Sequence, residues 1–390
     1  MVRAITPKYR CDLAWGRRGL AEAASRGDIV VVVDVLSFST AVATAIQSGG
    51  IIIPCPADEN ARVIAGRNSA QLAVHRNDVP SLGRFSLSPP TFLDIREGER
   101  VVLQSPNGAA CSAAGARASF LFAGSLVNAT AVGNTVNTLA ESTDHAVTVV
   151  AAGERYAEPS DDGVLRFAVE DYLGAGAILT AITSDRSPEA EVCASAFTQL
   201  RHRVGELLWG CESGRELRER GYTDDVHHAS QLDHYGTVPV LHDGRFVRWD
   251  TPAKKVVAYT TRVNNGRREL LVFEHVNHPE AGVQVPAGIL EANEAPAHAV
   301  VREVIEETGL TSFGSVTHLL TRTMYADWDS RYHERHVFHV ELDGEAPDEW
   351  THVVTVGHGD SGLRFACRWI DLNEEIVLAG GQGEYLEWLA

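Results

Sequence analysis

The stretch Gly288–Leu310, GILEANEAPAHAVVREVIEETGL, decides how the last third of this 390-residue chain is read. Pro296 suits the first turn of a helix, and Gly309 followed by Leu310 suits a left-handed stop with its apolar contact. The spacing therefore predicts a helix over 296–308. At 100° per residue, Ala297, Val300, Val301, Val304 and Thr308 share one arc, and Glu303, Glu306 and Glu307 share another about 120° away. One face packs while its neighbour gathers three carboxylates. Like charges three and four residues apart repel, so either the face is solvated or a cation sits on it. Hard oxygen ligands favour magnesium, with manganese as the alternative.

The wider pattern separates these readings. Gly288, Glu294, Arg302, Glu303, Val304, Glu306, Glu307, Gly309 and Leu310, at their spacings, resemble the Nudix box. The resemblance implies an α/β/α sandwich that hydrolyses a nucleoside diphosphate linked to a group X. It implies metal held by Glu303, Glu306, Glu307 and the Gly288 carbonyl. Glu303 is the first choice for the base, with Glu307 as its catalytic neighbour; Glu294 and Arg302 brace the loop and Gly309 ends the helix. A base of this kind accepts the proton of a water whose acidity the metal raises.

The flanks fit such a domain. Residues 256–262 and 270–274 read as strands around the hairpin signal Asn264-Asn265-Gly266. Further strands are expected at 336–342 and 363–370, before a terminal helix. His333, His336 and His339 invite a metal reading, but strand alternation puts His336 on the face opposite the other two, which favours ordinary strand histidines. Glu334 and Glu341 are candidates for the carboxylate that some Nudix enzymes add from outside the box.

Length and composition set the outer limits. A chain of 390 residues that is 44% hydrophobic can bury two cores. A formal charge of −18 argues against gripping a nucleic-acid backbone. Six cysteines, at 11, 55, 111, 193, 211 and 367, form no CxxC pair, so disulfide and zinc frameworks lack support. No apolar run is long enough for a membrane span and the first residues lack a signal-peptide core, so a cytoplasmic protein is expected.

The first two thirds read differently. Residues 29–36, IVVVVDVL, form a β-branched run apolar on both faces, as in a central parallel strand. Similar runs at 51–53, 101–103, 119–122 and 146–150 precede helices expected from about Ala57, near Ala109, near Ala129 and over 164–173. Successive βα units imply a parallel α/β sheet. A second helical stretch follows over 187–208, with loops at 211–215 and 221–226. Polar residues collect where strands end: Asp34, Ser37, Ser39 and Thr40; Ser105, Asn107 and Gly108; Ser125 and Asn128; Gly153 and Glu154. Each alone serves as a cap, but together they mark the crevice where such sheets hold anions. Glu170 and Asp171, flanked by apolar residues, need a partner, a cation or a metal.

The segments Val33–Leu36, Asn107-Gly108, Ala151–Arg155, Glu170–Gly176 and Ser213–Leu217 resemble the 2-phosphosulfolactate phosphatase family over about residues 10–245. The resemblance implies an α/β domain and magnesium-dependent removal of phosphate from a small acidic phosphoester. Functional positions fall at Asp34, Asn107, Glu154, Glu170 and Asp171. Catalysis is expected from Asp34 and Glu154, metal at Asp34, Glu170 and Asp171, and substrate contacts at Ser37, Ser39, Thr40, Ser105, Asn107, Gly108 and Asn128. The chain departs from the family at Ser37, where many members carry arginine, and at Gln104–Ala109, where many carry Thr-Thr-Asn-Gly-Thr.

The combined expectation is an N-terminal parallel-sheet α/β phosphatase-like domain, 1–249, followed by a C-terminal Nudix α/β/α sandwich, 250–390. It acts as a bifunctional hydrolase on a small phosphorylated metabolite or nucleotide derivative, through consecutive steps in one version. Neither nucleic acid nor membrane is a partner, and a homodimer is compatible with the pattern. The alternative is a Nudix hydrolase whose first domain is an inactive binding or dimerisation module.

Overall fold

The computed structural model describes residues 9–115, 117–143, 145–160, 163–250, 252–291, 294–326, 331–355 and 362–389. The start of the chain, Thr251 of the linker, and Ala292 and Asn293 of the quoted stretch lie outside them. The chain divides into two compact units, Met1–Trp249 and Asp250–Ala390.

The first unit runs β1 (Cys11–Trp15), α1 (Gly16–Arg26), β2 (Ile29–Val33), α2 (Phe38–Gln47), β3 (Ile51–Cys55), α3 (Ala61–Arg67), β4 (Gln71–Leu72), β5 (Arg100–Gln104), α4 (Gly108–Ala114), β6 (Phe120–Gly124), α5 (Ala129–Thr143) and β7 (Val147–Ala151). It continues through β8 (Glu154–Ser160), β9 (Gly163–Arg166), α6 (Val169–Thr180), α7 (Pro188–Leu200), α8 (Val204–Gly210), α9 (Glu212–Glu219), α10 (Thr223–Ala229), β10 (Pro239–His242) and β11 (Arg245–Arg248).

Nine strands form one sheet in the order β1-β7-β2-β6-β10-β11-β3-β5-β4. The expected parallel pairing is present in two blocks, β1-β7-β2-β6 and β3-β5-β4. Between them lies the β10–β11 hairpin, joined by three successive antiparallel pairings, so the blocks run in opposite directions. Local sequence marks 237–249 as the close of the domain but not as a hairpin inserted into its middle. That placement is a long-range pairing.

β2 is buried at all five positions, as a strand covered on both faces must be. α2 is buried from Phe38 to Ile46 on every side. Its small residues allow this: Ala41, Ala43 and Ala45 let neighbours approach, and Thr40 and Thr44 satisfy their hydroxyls on the carbonyls of Val35 and Thr40. Phe38, Val42 and Ile46 join the main core with Val30, Val32, Ile52 and Phe246. Each such side chain contributes about 1.5–3 kcal/mol through burial.

Several expectations need correction. The helix after β3 begins at Ala61 rather than Ala57, because Asn60 caps it by accepting from the Val63 amide. Residues 164–166 belong to the β8–β9 hairpin, and the helix starts only at Val169. Residues 212–215 and 223–226, read as loops, are helical, while Gly221 and Tyr222 form the turn between the two helices. The Cys211 sulfur accepts from the Gly214 amide to start α9, and Asp224 and Asp225 occupy the first turn of α10.

The second unit contains β12 (Ala253–Asn264), β13 (Arg267–His275), β14 (Ala287–Ile289), α11 (Pro296–Thr308), β15 (Phe313–Ala326), β16 (Arg331–Leu342), β17 (Glu349–Val353) and β18 (Arg364–Asp371). The sheet order is β15-β16-β12-β13-β18-β17, with β14 on β12. α11 lays Ala299, Val300 and Val304 on Val256, Ala258, Phe338 and Val340. The opposite face buries Val257, Tyr259 and Val337 with Leu378, Tyr385 and Leu389. The layer there is the 3-10 segment Ala379–Leu389, kinked at Gly380 and Gly381, where a regular terminal helix was expected. All six cysteines are buried and free. Among the described residues, no helix is long and apolar enough to cross a membrane.

Candidate functional sites

In the first unit, four acids from three places come together. Asp34 follows β2, Glu154 opens β8 after β7, and Glu170 and Asp171 stand in the first turn of α6. Asp34 accepts from the Gly108 amide at 2.8 Å and the Phe38 amide at 3.1 Å, which ties β2 to the head of α4. Gly108 is required there, because a Cβ would overlap the Phe38 ring. Asp171 accepts from the Val35 amide at 2.7 Å and the Gly153 amide at 2.9 Å, binding α6 to the ends of β2 and β7.

Asp34, Glu170 and Asp171 are buried. Desolvation raises Asp34 above the usual carboxylate range, its amide donors oppose the rise, and Glu170 adds to it. Burial and the charges of Asp34 and Glu170 lift Asp171 well above that range. Burial, then Asp34, pushes Glu154 up to about 7, against the Asn107 side-chain amide that donates to it at 3.0 Å. The Cys211 thiol donates to the Leu208 carbonyl at 3.2 Å.

The other expected contacts divide. Asn107 and Gly108 touch the acids directly, and the Ser105 hydroxyl accepts from the Asn107 amide at 3.3 Å. Ser39 donates to the Val32 carbonyl and accepts from the Asp34 amide, and Thr40 joins the Val35 carbonyl to Ser125. Asn128 is fully committed to backbone: it accepts from the Ser125 amide and donates to the Ala123 and Thr237 carbonyls. These three brace the strand ends through those bonds.

Sequence reasoning missed Arg76. Its Nη2 donates to the Ser37 hydroxyl at 2.5 Å and to the Leu87 carbonyl at 3.1 Å, and its Nε to Asp225 at 3.0 Å. Ser88 also donates to Asp225. No strand end or local motif marks Arg76; only the fold brings it to Ser37.

In the second unit, α11 spans the predicted residues and ends at Gly309 with φ 76°. Arg302 is the hub. Its Nε and Nη2 form a bidentate pair with Glu294, at 2.8 and 2.9 Å, and Nη2 reaches the Ile289 carbonyl. Its Nη1 donates to Glu303 at 2.8 Å and Glu306 at 3.2 Å. Arg302 holds the Glu294 carboxyl down at about 2. Glu307 accepts from the Ala287 amide at 3.0 Å. A Cβ on Gly288 would overlap the Glu303 carboxylate, so glycine makes the cradle in which that carboxylate lies beside β14.

Alternation along β16 separates the remaining candidates. Phe338 and Val340 face α11 and Val337 faces away, so Glu334 and His336 share the helix side while His333, His339 and Glu341 take the other. Glu334 is held low chiefly by His336, 2.9 Å away, with Lys254 at 3.6 Å. His339 bonds Thr261, and Glu341 accepts from Ser315.

Among the described residues, no three His, Cys, Asp or Glu side chains stand as a ready metal cage. The carboxylates are turned to backbone amides and Arg302 instead. Their chemistry still fits a hard divalent cation: oxygen donors only, buried at Asp34, Glu170, Asp171, Glu303 and Glu307, and crowded with like charge.

A family model described as 2-phosphosulpholactate phosphatase matches residues 18–244, and one described as NUDIX domain matches residues 253–389. A probable 2-phosphosulfolactate phosphatase of Pseudothermotoga lettingae is 26% identical over 231 residues, covering 59% of this chain and 96% of its own. A 2-phosphosulfolactate phosphatase of Methanothermobacter thermautotrophicus is 29% identical over 217 residues, covering 56% and 88%. The crystal structure of a MutT NUDIX hydrolase from Burkholderia pseudomallei covers 36% of this chain and 100% of its own, at 22% identity and a TM-score of 0.29. Both matched families are hydrolases, and divalent-metal dependence is general in them. The chain belongs to the 2-phosphosulpholactate phosphatase family and carries a NUDIX domain on its carboxyl side.

Proposed function

We propose that the chain is a bifunctional, metal-dependent hydrolase of the cytoplasm, in which the first unit removes phosphate from a small acidic phosphoester and the second cleaves a nucleoside diphosphate linked to a group X. The observation that carries this reading is that each unit gathers several buried or half-buried carboxyl groups in one place. In the first, burial and one another's charges raise the proton affinity of Asp34, Glu154 and Asp171, with Glu170 standing among them. In the second, Arg302 pairs with Glu294, Glu303 and Glu306 at once. Crowding of this kind is costly unless a ligand offsets it.

Magnesium, with manganese as its substitute, fits at Asp34, Glu170 and Asp171 and at Glu303, Glu306, Glu307 and the Gly288 carbonyl. When bound it would neutralise phosphoryl oxygens and acidify water. The chain's own groups do the rest. Glu154 keeps its proton near neutral pH and can pass it to the alkoxide that leaves phosphorus. Asn107 fixes that carboxyl through its amide, and the Gly108 amide holds Asp34. In the second unit Glu303 accepts the proton of the attacking water. Glu334 is the better placed of the two carboxylates outside the box, because it shares the helix side of the sheet.

The test uses the full chain with magnesium. Phosphate release from a panel of phosphorylated hydroxy acids and cleavage of a panel of nucleoside diphosphate derivatives, read by product mass, should both be found and both be lost to EDTA. Absence of either activity across its panel contradicts that half of the reading.

A further inference from the structure

Glu306 and Glu307 stand in the last turn of α11, where helices fray. The Gly309 amide donates to the Ile305 carbonyl at 2.9 Å, and the Leu310 amide to the Thr308 hydroxyl at 3.3 Å. The Glu306 carbonyl, which the two-bond variant of this ending would satisfy, therefore needs a donor from elsewhere. Strand β17 supplies it. His352 Nε2 lies 2.9 Å from the Glu306 oxygen, and because a carbonyl only accepts, that nitrogen carries the ring proton. Trp350 Nε1 donates to the Thr308 carbonyl at 2.8 Å.

Trp350 and His352 stand two apart and share one face of β17, while Glu349, Thr351 and Val353 are exposed. β17 lies at the edge of the sheet, with Trp350 opposite Cys367 and His352 opposite Phe365 in β18. The His352 ring rests against Gly309, where a Cβ would come within 2.8 Å of Nδ1 and 3.0 Å of Cε1. Gly309 thus turns the chain, with its φ of 76°, and also seats the imidazole. Trp350 and Leu310 pack together on the cluster that holds Phe273, Phe365 and Cys367.

We propose that His352, assisted by Trp350, is a positioning residue of the second hydrolytic site. By holding the carbonyls of Glu306 and Thr308 it fixes the last turn of α11, and so the aim of Glu306 and Glu307 at a divalent cation. The inference rests on the metal-dependent reading of the second unit and adds to that site a brace 46 residues beyond Glu306. Arg302 holds the Glu306 carboxylate at 3.2 Å and His352 its carbonyl, so the residue is gripped at both ends. Such grip matters because ligands to a metal must stay within about 0.5 Å of their working positions.

The experiment titrates manganese into the full chain, followed by electron paramagnetic resonance, for wild type, Glu303→Gln, His352→Ala, His352→Gln and Trp350→Phe. Thermal midpoints serve as a folding control. The binding component lost in Glu303→Gln belongs to the second site. His352→Ala should weaken that component by about tenfold or more and leave the remaining manganese binding within about twofold. His352→Gln, whose amide nitrogen can reach the same carbonyl, should recover most of the loss. Trp350→Phe, which keeps a ring but no donor, should fall between His352→Ala and wild type. Unchanged affinity in folded His352→Ala, or an equal loss in His352→Gln, overturns the assignment. Hydrogen exchange over residues 303–310, measured without metal, separates that failure from failure of the hydrolase reading. If Glu303→Gln removes no manganese component, yet His352→Ala speeds exchange there and His352→Gln restores it, the brace stands and the metal reading of the second unit fails. If exchange is also unchanged, both fail.

Discussion

The Glu303 carboxylate occupies the space that a Cβ on Gly288 would need. Gly288 pairs with Val256 in the β14–β12 ladder, and Glu303 is fixed on a helix packed against the same sheet, so neither backbone has room to retreat.

Gly288→Ala should therefore cost the diphosphate-cleaving activity about 100-fold while leaving phosphoester hydrolysis within twofold. The cause is space alone, because Gly288 is not among the residues with positive φ. Parallel assays of both activities on one preparation provide the check, and an alanine variant with full cleavage would remove Glu303 from the account.

Glu154 sets a pH dependence in the first unit. Folded, it keeps its proton to about 7, against an ordinary 4.5. The folded state binds more protons in that window, so stability falls as pH rises from about 4.5 to 7, and the full penalty persists above. Glu154→Gln should raise the thermal midpoint at pH 8 in EDTA, with the gain shrinking to nothing as pH falls from 7 to 4.5. A gain that ignores pH contradicts the shift.

Glu294 behaves in the opposite sense. Arg302 depresses it to about 2, so its stabilisation is present above about 4.5 and lost as pH falls towards 2. The pair is partly exposed, and Glu294→Gln should cost only about 1 kcal/mol at pH 7. Denaturant melts of wild type and variant should converge as the pH approaches 2; a constant gap would mean that the loss comes from packing.

Asn128 separates bracing from binding. Asn128→Ala strands the Ser125 amide and the Ala123 and Thr237 carbonyls, for a loss of about 2 kcal/mol. Phosphoester kcat/KM should hold within twofold at temperatures where the variant is folded; a selective rise in KM would make Asn128 a substrate contact.

The difference between Asn128 and Arg76 shows what the amino-acid order can and cannot convey. The helix over 296–308 and its carboxylates were legible because local periodicity and a terminal glycine fix which residues share a face. Asp34 and Glu154 were legible because strand ends carry the loops of such sheets. A strand-end polar residue, however, looks the same whether it braces the backbone, as Asn128 does, or faces a ligand. Arg76 reaches Ser37 through contacts 39 residues apart, and its support comes from Asp225, 149 residues away. The β10–β11 hairpin enters the sheet between strands it follows by more than a hundred residues. Ser213-Gly214-Arg215 suggested a loop, yet Gly214 is helical, and a Cβ there would overlap the Leu208 carbonyl.

The central claim is that one chain holds two separate acid-built hydrolytic sites. The most direct test is to assay Asp34→Asn and Glu303→Gln, each in the full chain, for both activities under saturating magnesium. The account predicts loss of phosphoester hydrolysis alone in the first and loss of diphosphate cleavage alone in the second, each by about 100-fold or more. Loss of both activities in either variant, or of neither, would contradict it.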